Sequence, residues 1–351
     1  MTKINFELLK KISEIPGVSG FESKIRNLIL DEIKDLSDDI SIDNLGNIIA
    51  LKKGKSDKKV LAAAHMDEIG FIVNYIDDEG FLHFLPLGGF DPKTLVSQRV
   101  IVHGTKDLVG VMASKPIHIM KAKEREKTVE IQDFFIDLGL PKKEVEKYIE
   151  IGNPVSRERE LIELGECING KSLDNRISVY ILIETLRTLK NKTIPYDFYA
   201  CFTVQEEVGI RGAQTVSLDI NPDFSFGLDT TIAYDVPGSI PKETVTSLGK
   251  GTAIKIMDSS AIADYRMVKY MKETAQKHNI KWQAELLPAG GTDTAMIQRM
   301  NKKGAITGAV SIPTRHIHQV IESVHKEDVK ASIQLLTHCI IEINTFNWDH
   351  Y

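Results

Sequence analysis

Apolar runs, each ended abruptly by polar groups, set the outline of this chain. Residues 198–204 are aromatic, small and β-branched with little alternation, the pattern of a strand buried on both faces. The run stops at two adjacent carboxylates and a glycine, in Glu206-Glu207-Val208-Gly209. A second run, 60–64, ends at His65-Met66-Asp67-Glu68-Ile69-Gly70. A third, 224–228, ends at Asp229-Thr230-Thr231, and the last, 308–313, runs into Thr314-Arg315-His316-Ile317-His318. Between them the spacing turns helical. Phe6, Leu8, Leu9, Ile12 and Ile15 predict a helix that stops at Pro16-Gly17. Ser19 and Glu22 fit a capping box that opens a helix carrying Ile25, Leu28, Ile29 and Ile33. Ile177, Ile181, Thr185 and Leu189 mark another helix, and two more are predicted over 260–278 and 326–344. A hairpin is predicted at 40–43 and 47–52 around Asn44-Leu45-Gly46, and a further strand over 282–286.

From residue 71 to about 163 this alternation gives way to short β segments and turns: 71–76, 81–87, 98–103 and 109–113. A basic, helix-prone stretch at 121–127 and a short helix after Pro141 complete that region. The α/β pattern resumes at Gly165. The chain therefore reads as a discontinuous α/β domain, residues 1–70 and 165–351, with an inserted β-rich domain over residues 71–164. His83, His103 and His118 fall in the insertion, outside any carboxylate cluster, and read as structural or surface residues.

Composition narrows the class. A net charge of −5 and a pI near 6.1 point to neither nucleic acid nor an anionic membrane as partner. Cys167, Cys201 and Cys339 are far apart, which argues for a reducing compartment and against a thiolate zinc site. Residues 1–10 are broken by Lys3, Glu7 and Lys10 and lack a signal-peptide core. No run approaches a membrane span. The expectation is a cytoplasmic protein.

The chemistry sits at the strand ends. In open α/β sheets, ligands collect beyond the carboxyl ends of strands. His65, Glu206, Glu207, Asp229 and His318 all follow apolar strands there. Asp174 precedes a helix, where an N-cap is the common role and a ligand the alternative. Successive side chains on a strand point opposite ways, so Glu206 and Glu207 can divide the work between general base and metal ligand. Taken singly, a Glu pair at a strand end is usually solvated and a lone His usually structural. Taken together, two His, three carboxylates and one further Glu suffice for two divalent ions that share a bridging carboxylate. Nitrogen and oxygen donors without thiolate suit zinc, cobalt or manganese. The turn at Gly290, Gly291 and Thr292 is a weak signal: its N–H groups could hold an anion or a substrate carbonyl, and a plain helix start is the commoner reading.

As an ordered set, His65-Met66-Asp67-Glu68-Ile69-Gly70, Leu173-Asp174-Asn175-Arg176, Glu206-Glu207-Val208-Gly209, Asp229, Gly290-Gly291-Thr292-Asp293 and Ile312-Pro313-Thr314-Arg315-His316-Ile317-His318 resemble the motifs of the tetrahedral metallo-aminopeptidases. That family includes glutamyl, leucyl, lysyl and deblocking aminopeptidases, and the resemblance spans essentially the whole chain. It implies a zinc-exopeptidase-like α/β fold, a mixed sheet sandwiched by helices, with the insertion as a dimerisation domain. It implies a metallo-aminopeptidase acting on short unblocked peptides with two divalent ions per subunit. By resemblance His65 and Asp229 hold one ion, Glu207 and His318 the other, and Asp174 bridges them. Glu206 is then the general base for a bridging water, and Asp67 supports His65. Dimers and a hollow dodecamer are the implied assemblies. His316 stands where Tyr is frequent and Gln319 where a small residue is frequent, and neither change removes a ligand. Other readings remain: an amidohydrolase or carboxypeptidase on the same scaffold, a glycosidase using Glu206 and a second acid, and a non-catalytic assembly protein.

Overall fold

The computed structural model describes residues 4–350, so part of the N-terminal stretch expected to lack a signal-peptide core, residues 1–3, lies outside the described residues. A sheet of eleven strands among the described residues carries the larger part of the molecule. Its middle is parallel: Tyr196–Thr203, Ser56–His65, Phe224–Ile232 and Ile306–Arg315 lie side by side in that order. Its flanks are antiparallel. The hairpin of Asp39–Ile42 and Ile48–Lys52 extends one side. Glu322–His325, Cys167–Gly170 and Ile162–Leu164 extend the other. Thr252–Met257 branches from Ile306–Arg315 and carries Trp282–Leu286.

The two-residue period of a strand decides what packs where. Val60, Ala62 and Ala64 face one core, which is completed by Leu9, Ile25, Ile177, Met267 and Leu335 from five helices. Leu61 and Ala63 face the other, with Ala213, Val216 and Ile297 from the helices Arg211–Ile220 and Asp293–Arg299. The fold is thus a mixed sheet covered by helices on both faces, as expected. Separately, Gly70–Ile76, Leu82–Leu87, Arg99–His103, Asp107–Ser114, Phe134–Asp137 and Pro154–Arg157 close into a six-stranded barrel. Its own core includes Phe71, Val100, Ile136 and Val155. Closure leaves no unpaired strand edge.

Three local expectations are corrected. Ser19 is not an N-cap: the helix is Ser23–Ile33, with Glu22 at its cap position and no side-chain capping bond. Ser19 instead donates to Asp67 (2.6 Å), and Glu22 accepts from the N–H groups of Gly20 and Gln205. The helix expected over 260–278 is Tyr265–Lys277, because Asp264 caps it and Asp258 draws the N–H groups of Ser260 and Ala261 into a turn. The strand expected to be last is followed by another, Glu322–His325.

Candidate metal centre

The parallel strands end at one edge, and their registers align the polar residues there. Thr203 pairs with His65, and Gly227 pairs with Ala63, which puts Asp229 level with His65. Glu206 and Glu207 follow three and four residues after Tyr196–Thr203. His318 lies three residues past Ile306–Arg315. Asp174 falls at the start of Leu173–Leu189, but its backbone (φ −77°, ψ 104°) is not helical and it caps nothing. It turns inward instead.

The six side chains converge on a cavity of about 370 Å³, also lined by Gly290, Gly291 and Thr292. His65, Asp174 and Asp229 form one group whose ligand atoms all lie within 4.8 Å of one another, and Asp174, Glu207 and His318 form a second. Asp174 belongs to both. His65 Nε2 lies 3.4 Å from Asp174 Oδ1 and 3.7 Å from Asp229 Oδ1. His318 Nε2 lies 3.5 Å from Asp174 Oδ2 and 3.4 Å from Glu207 Oε2. Ordinary N–H···O bonds run nearer 2.9 Å. Two donors on one tetrahedral ion, each about 2.1 Å from it, sit about 3.4 Å apart. Asp174 Oδ1 is buried without a hydrogen bond to any described residue. An orphaned carboxylate oxygen, donors at coordination-edge spacing and an all-N/O set fit two divalent ions.

Electrostatics agree. Burial works against a charged His318, yet Asp174 and Glu207 push its pKa up to about 11. The two carboxylates thus favour positive charge at this ring. Burial pushes the Glu206 carboxyl well above its usual range, against the pull of His65 and with added repulsion from Asp229 and Glu207. Asp67 is fully buried. Its carboxylate lies 3.3 Å from His65 Nδ1 and accepts the N–H groups of Glu206 (3.0 Å) and Glu207 (3.2 Å). It thus orients the imidazole and also anchors both glutamates. His316 is exposed and joins neither group. A third cluster, His278, His338 and Glu342, is engaged otherwise: its rings stack 3.6 Å apart, and Glu342 accepts from Lys277 and pairs with His278.

Comparison with known proteins supplies the family. The family model of the M42 glutamyl aminopeptidases matches residues 46–335.

The chain belongs to the M42 family of aminopeptidases.

It is 35% identical to the lysyl aminopeptidase of Pyrococcus furiosus, over 98% of this chain and 99% of that one. The TET aminopeptidase of a marine-sediment Thaumarchaeota archaeon superposes with a TM-score of 0.94, at 36% identity and 96% coverage of each chain. The Pyrococcus horikoshii TET1 peptidase, which can assemble into a tetrahedron or a large octahedral shell, gives a TM-score of 0.87 at 31% identity, with coverage of 96% and 99%. The chain is a peptide hydrolase of the aminopeptidase class.

Within this M42 chain, reasoning from sequence missed several buried groups around the centre. Glu322 accepts the N–H groups of Asp174 and His318, both at 2.9 Å, and its pKa rises to about 8 through burial and the Asp174 charge. Asp293 accepts from Thr203, and burial raises its pKa to about 7. Lys255 lines the cavity and pairs with Asp258 (2.9 Å) and Glu285 (3.3 Å). Asp293 belongs to the Gly-rich motif already singled out. Glu322 and Lys255 end no apolar run, and the contacts that tie them to Asp174 and Glu285 cross long stretches of chain.

Proposed function

We propose that this chain removes N-terminal residues from short, unblocked peptides, with two divalent ions held by His65, Asp174, Asp229, Glu207 and His318. The observation that carries this reading is the pair of donor triads sharing Asp174 at coordination-edge distances. His65 and Asp229 would hold one ion and Glu207 and His318 the other, with Asp174 shared between them. Zinc or cobalt suits the donor set, and manganese is the next choice. Bound ions of this kind lower the pKa of water and polarise a carbonyl.

The protein's own groups do the rest. Glu206 faces His65 Nε2 from 3.9 Å and belongs to neither triad. It acts as the general base: it takes the proton of the attacking water and returns it to the leaving amine. Asp67 holds Glu206, Glu207 and His65 in place. Gly290, Gly291 and Thr292 line the cavity where the substrate backbone would lie. The barrel, assigned to residues 71–164, serves as the dimerisation domain, and dimers build a closed shell of twelve chains.

Docking of the α-amine in this centre makes the enzyme an exopeptidase. A peptide with a free N-terminus should be cleaved from that end, and its N-acetylated counterpart should be inert. Equal cleavage of both, followed by mass spectrometry, would point instead to an amidohydrolase or a carboxypeptidase.

A further inference from the structure

The two halves of the candidate centre are held by different parts of the molecule. His65 and Asp229 stand on strands of the large sheet. His65 is braced by Asp67, and Asp229 accepts the N–H of Thr230 at 2.8 Å. His318 stands on a loop, with its backbone in the left-handed region at φ 65°. Its main chain is gripped on both sides. Its N–H donates to Glu322 Oε1 (2.9 Å), and its carbonyl accepts from Arg157 Nη1 (3.0 Å). The other oxygen of Glu322 accepts the N–H of Asp174 (2.9 Å), so one carboxylate holds both backbones. Arg157 ends the barrel strand Pro154–Arg157, is 2% exposed, and lies 5.7 Å from the ring of Phe90. Gly89 faces the outer edge of the His318 ring: a Cβ there would sit 3.5 Å from Nδ1.

We propose that Arg157 is a positioning residue that makes the His318 side of the centre depend on the inserted barrel, with Glu322 of the sheet holding the same main chain from the other side, while the His65–Asp229 side depends on the sheet alone. This inference rests on the two-ion reading above. A non-glycine residue at positive φ persists only where its surroundings hold it. Arg157 and Glu322 supply that hold from opposite sides of the same residue. Without the guanidinium, the His318 carbonyl loses its buried donor and the loop is free to shift. Outer partners that orient metal ligands typically change metal affinity about 10- to 100-fold when altered. The barrel is then part of the second ion's site as well as an assembly module, and a shift of the barrel against the sheet would be felt first by that ion.

The test is calorimetric titration of demetallated protein with Co2+. Wild type, Arg157→Met and Arg157→Lys are compared. Arg157→Met is also placed in an Asp229→Ala background, which keeps the second triad, and in a His318→Ala background, which keeps the first. Arg157→Met should weaken binding roughly 10- to 100-fold in the Asp229→Ala background and leave it unchanged in the His318→Ala background. Arg157→Lys should recover part of the loss. If Arg157→Met fails to fold, as judged by melting, Arg157→Gln takes its place with the same expectation. Wild type that binds fewer than two ions would defeat the two-ion reading itself. Wild type that binds two, with a variant that weakens both backgrounds equally or neither, would overturn the role of Arg157.

Discussion

Glu206 and Glu207 are neighbours in the chain, yet only Glu207 sits at ligand distance from His318. Their separate roles predict separate failures. Glu206→Gln keeps the size of the carboxylate but cannot take a proton. It should retain both ions and lose about 10²- to 10⁴-fold in rate, mainly in kcat. Glu207→Gln weakens a ligand. It should bind one ion poorly and be partly rescued by excess metal. Elemental analysis beside kcat reads both variants, and a Glu206→Gln protein that has lost an ion while Glu207→Gln keeps two would reverse the assignment. The adjacent acids were visible in the sequence because they end an apolar run. The carboxylate that fixes both was visible only in part. Asp67 was expected to support His65, and its two bonds to the glutamate N–H groups arise only when strands distant in sequence end side by side.

At the scale of elements, the site depends on close contact between the strand Phe224–Ile232 and the helix Asp293–Arg299. Gly227 makes that contact available. A Cβ there would lie 1.9 Å from Thr294 Oγ1 and 3.3 Å from Thr294 Cα. Gly227→Ala must push the helix off the sheet or turn Thr294 out of its place, and overpacking of this kind typically costs about 1–3 kcal/mol. Chemical denaturation should show a loss of that size, and an unchanged midpoint would mean that the helix is not fixed there. The long buried strands were legible because both faces are apolar. The short strands Phe134–Asp137, Pro154–Arg157, Ile162–Leu164, Cys167–Gly170 and Thr252–Met257 were not anticipated as strands. Ile162–Leu164 is wholly exposed, and the apolar stretches within Phe134–Asp137 and Cys167–Gly170 are three residues or fewer, too short to announce a strand. The capping box at Ser19 failed for a related reason: its hydroxyl is taken by Asp67, a partner 48 residues away.

At the scale of the whole molecule, the candidate chemistry lies beside the seam between the large sheet and the barrel. The sheet supplies His65, Asp229 and the glutamates. The barrel brings Gly88 and Gly89 close to Glu207 and His318, and Arg157 to the His318 carbonyl. The closed barrel has no open strand edge, so self-association through it must use side-chain surfaces. Val109 and Val111, 62% and 46% exposed, offer apolar area there. Closed point-group assembly is the usual outcome for soluble homo-oligomers. Light scattering should give a mass near twelve chains, with substrates limited to short peptides. A monomer at micromolar concentration would contradict the assembly while leaving the centre untouched.

Two ions in that centre, doing the chemistry together, are the core of the proposed function. Demetallated protein should be titrated with zinc or cobalt while hydrolysis of a free-amine peptide is followed. Activity should be absent at the start, rise with added metal, and break at two equivalents per chain. Full activity in rigorously metal-free protein, or a break at one equivalent with no gain beyond it, would contradict the account.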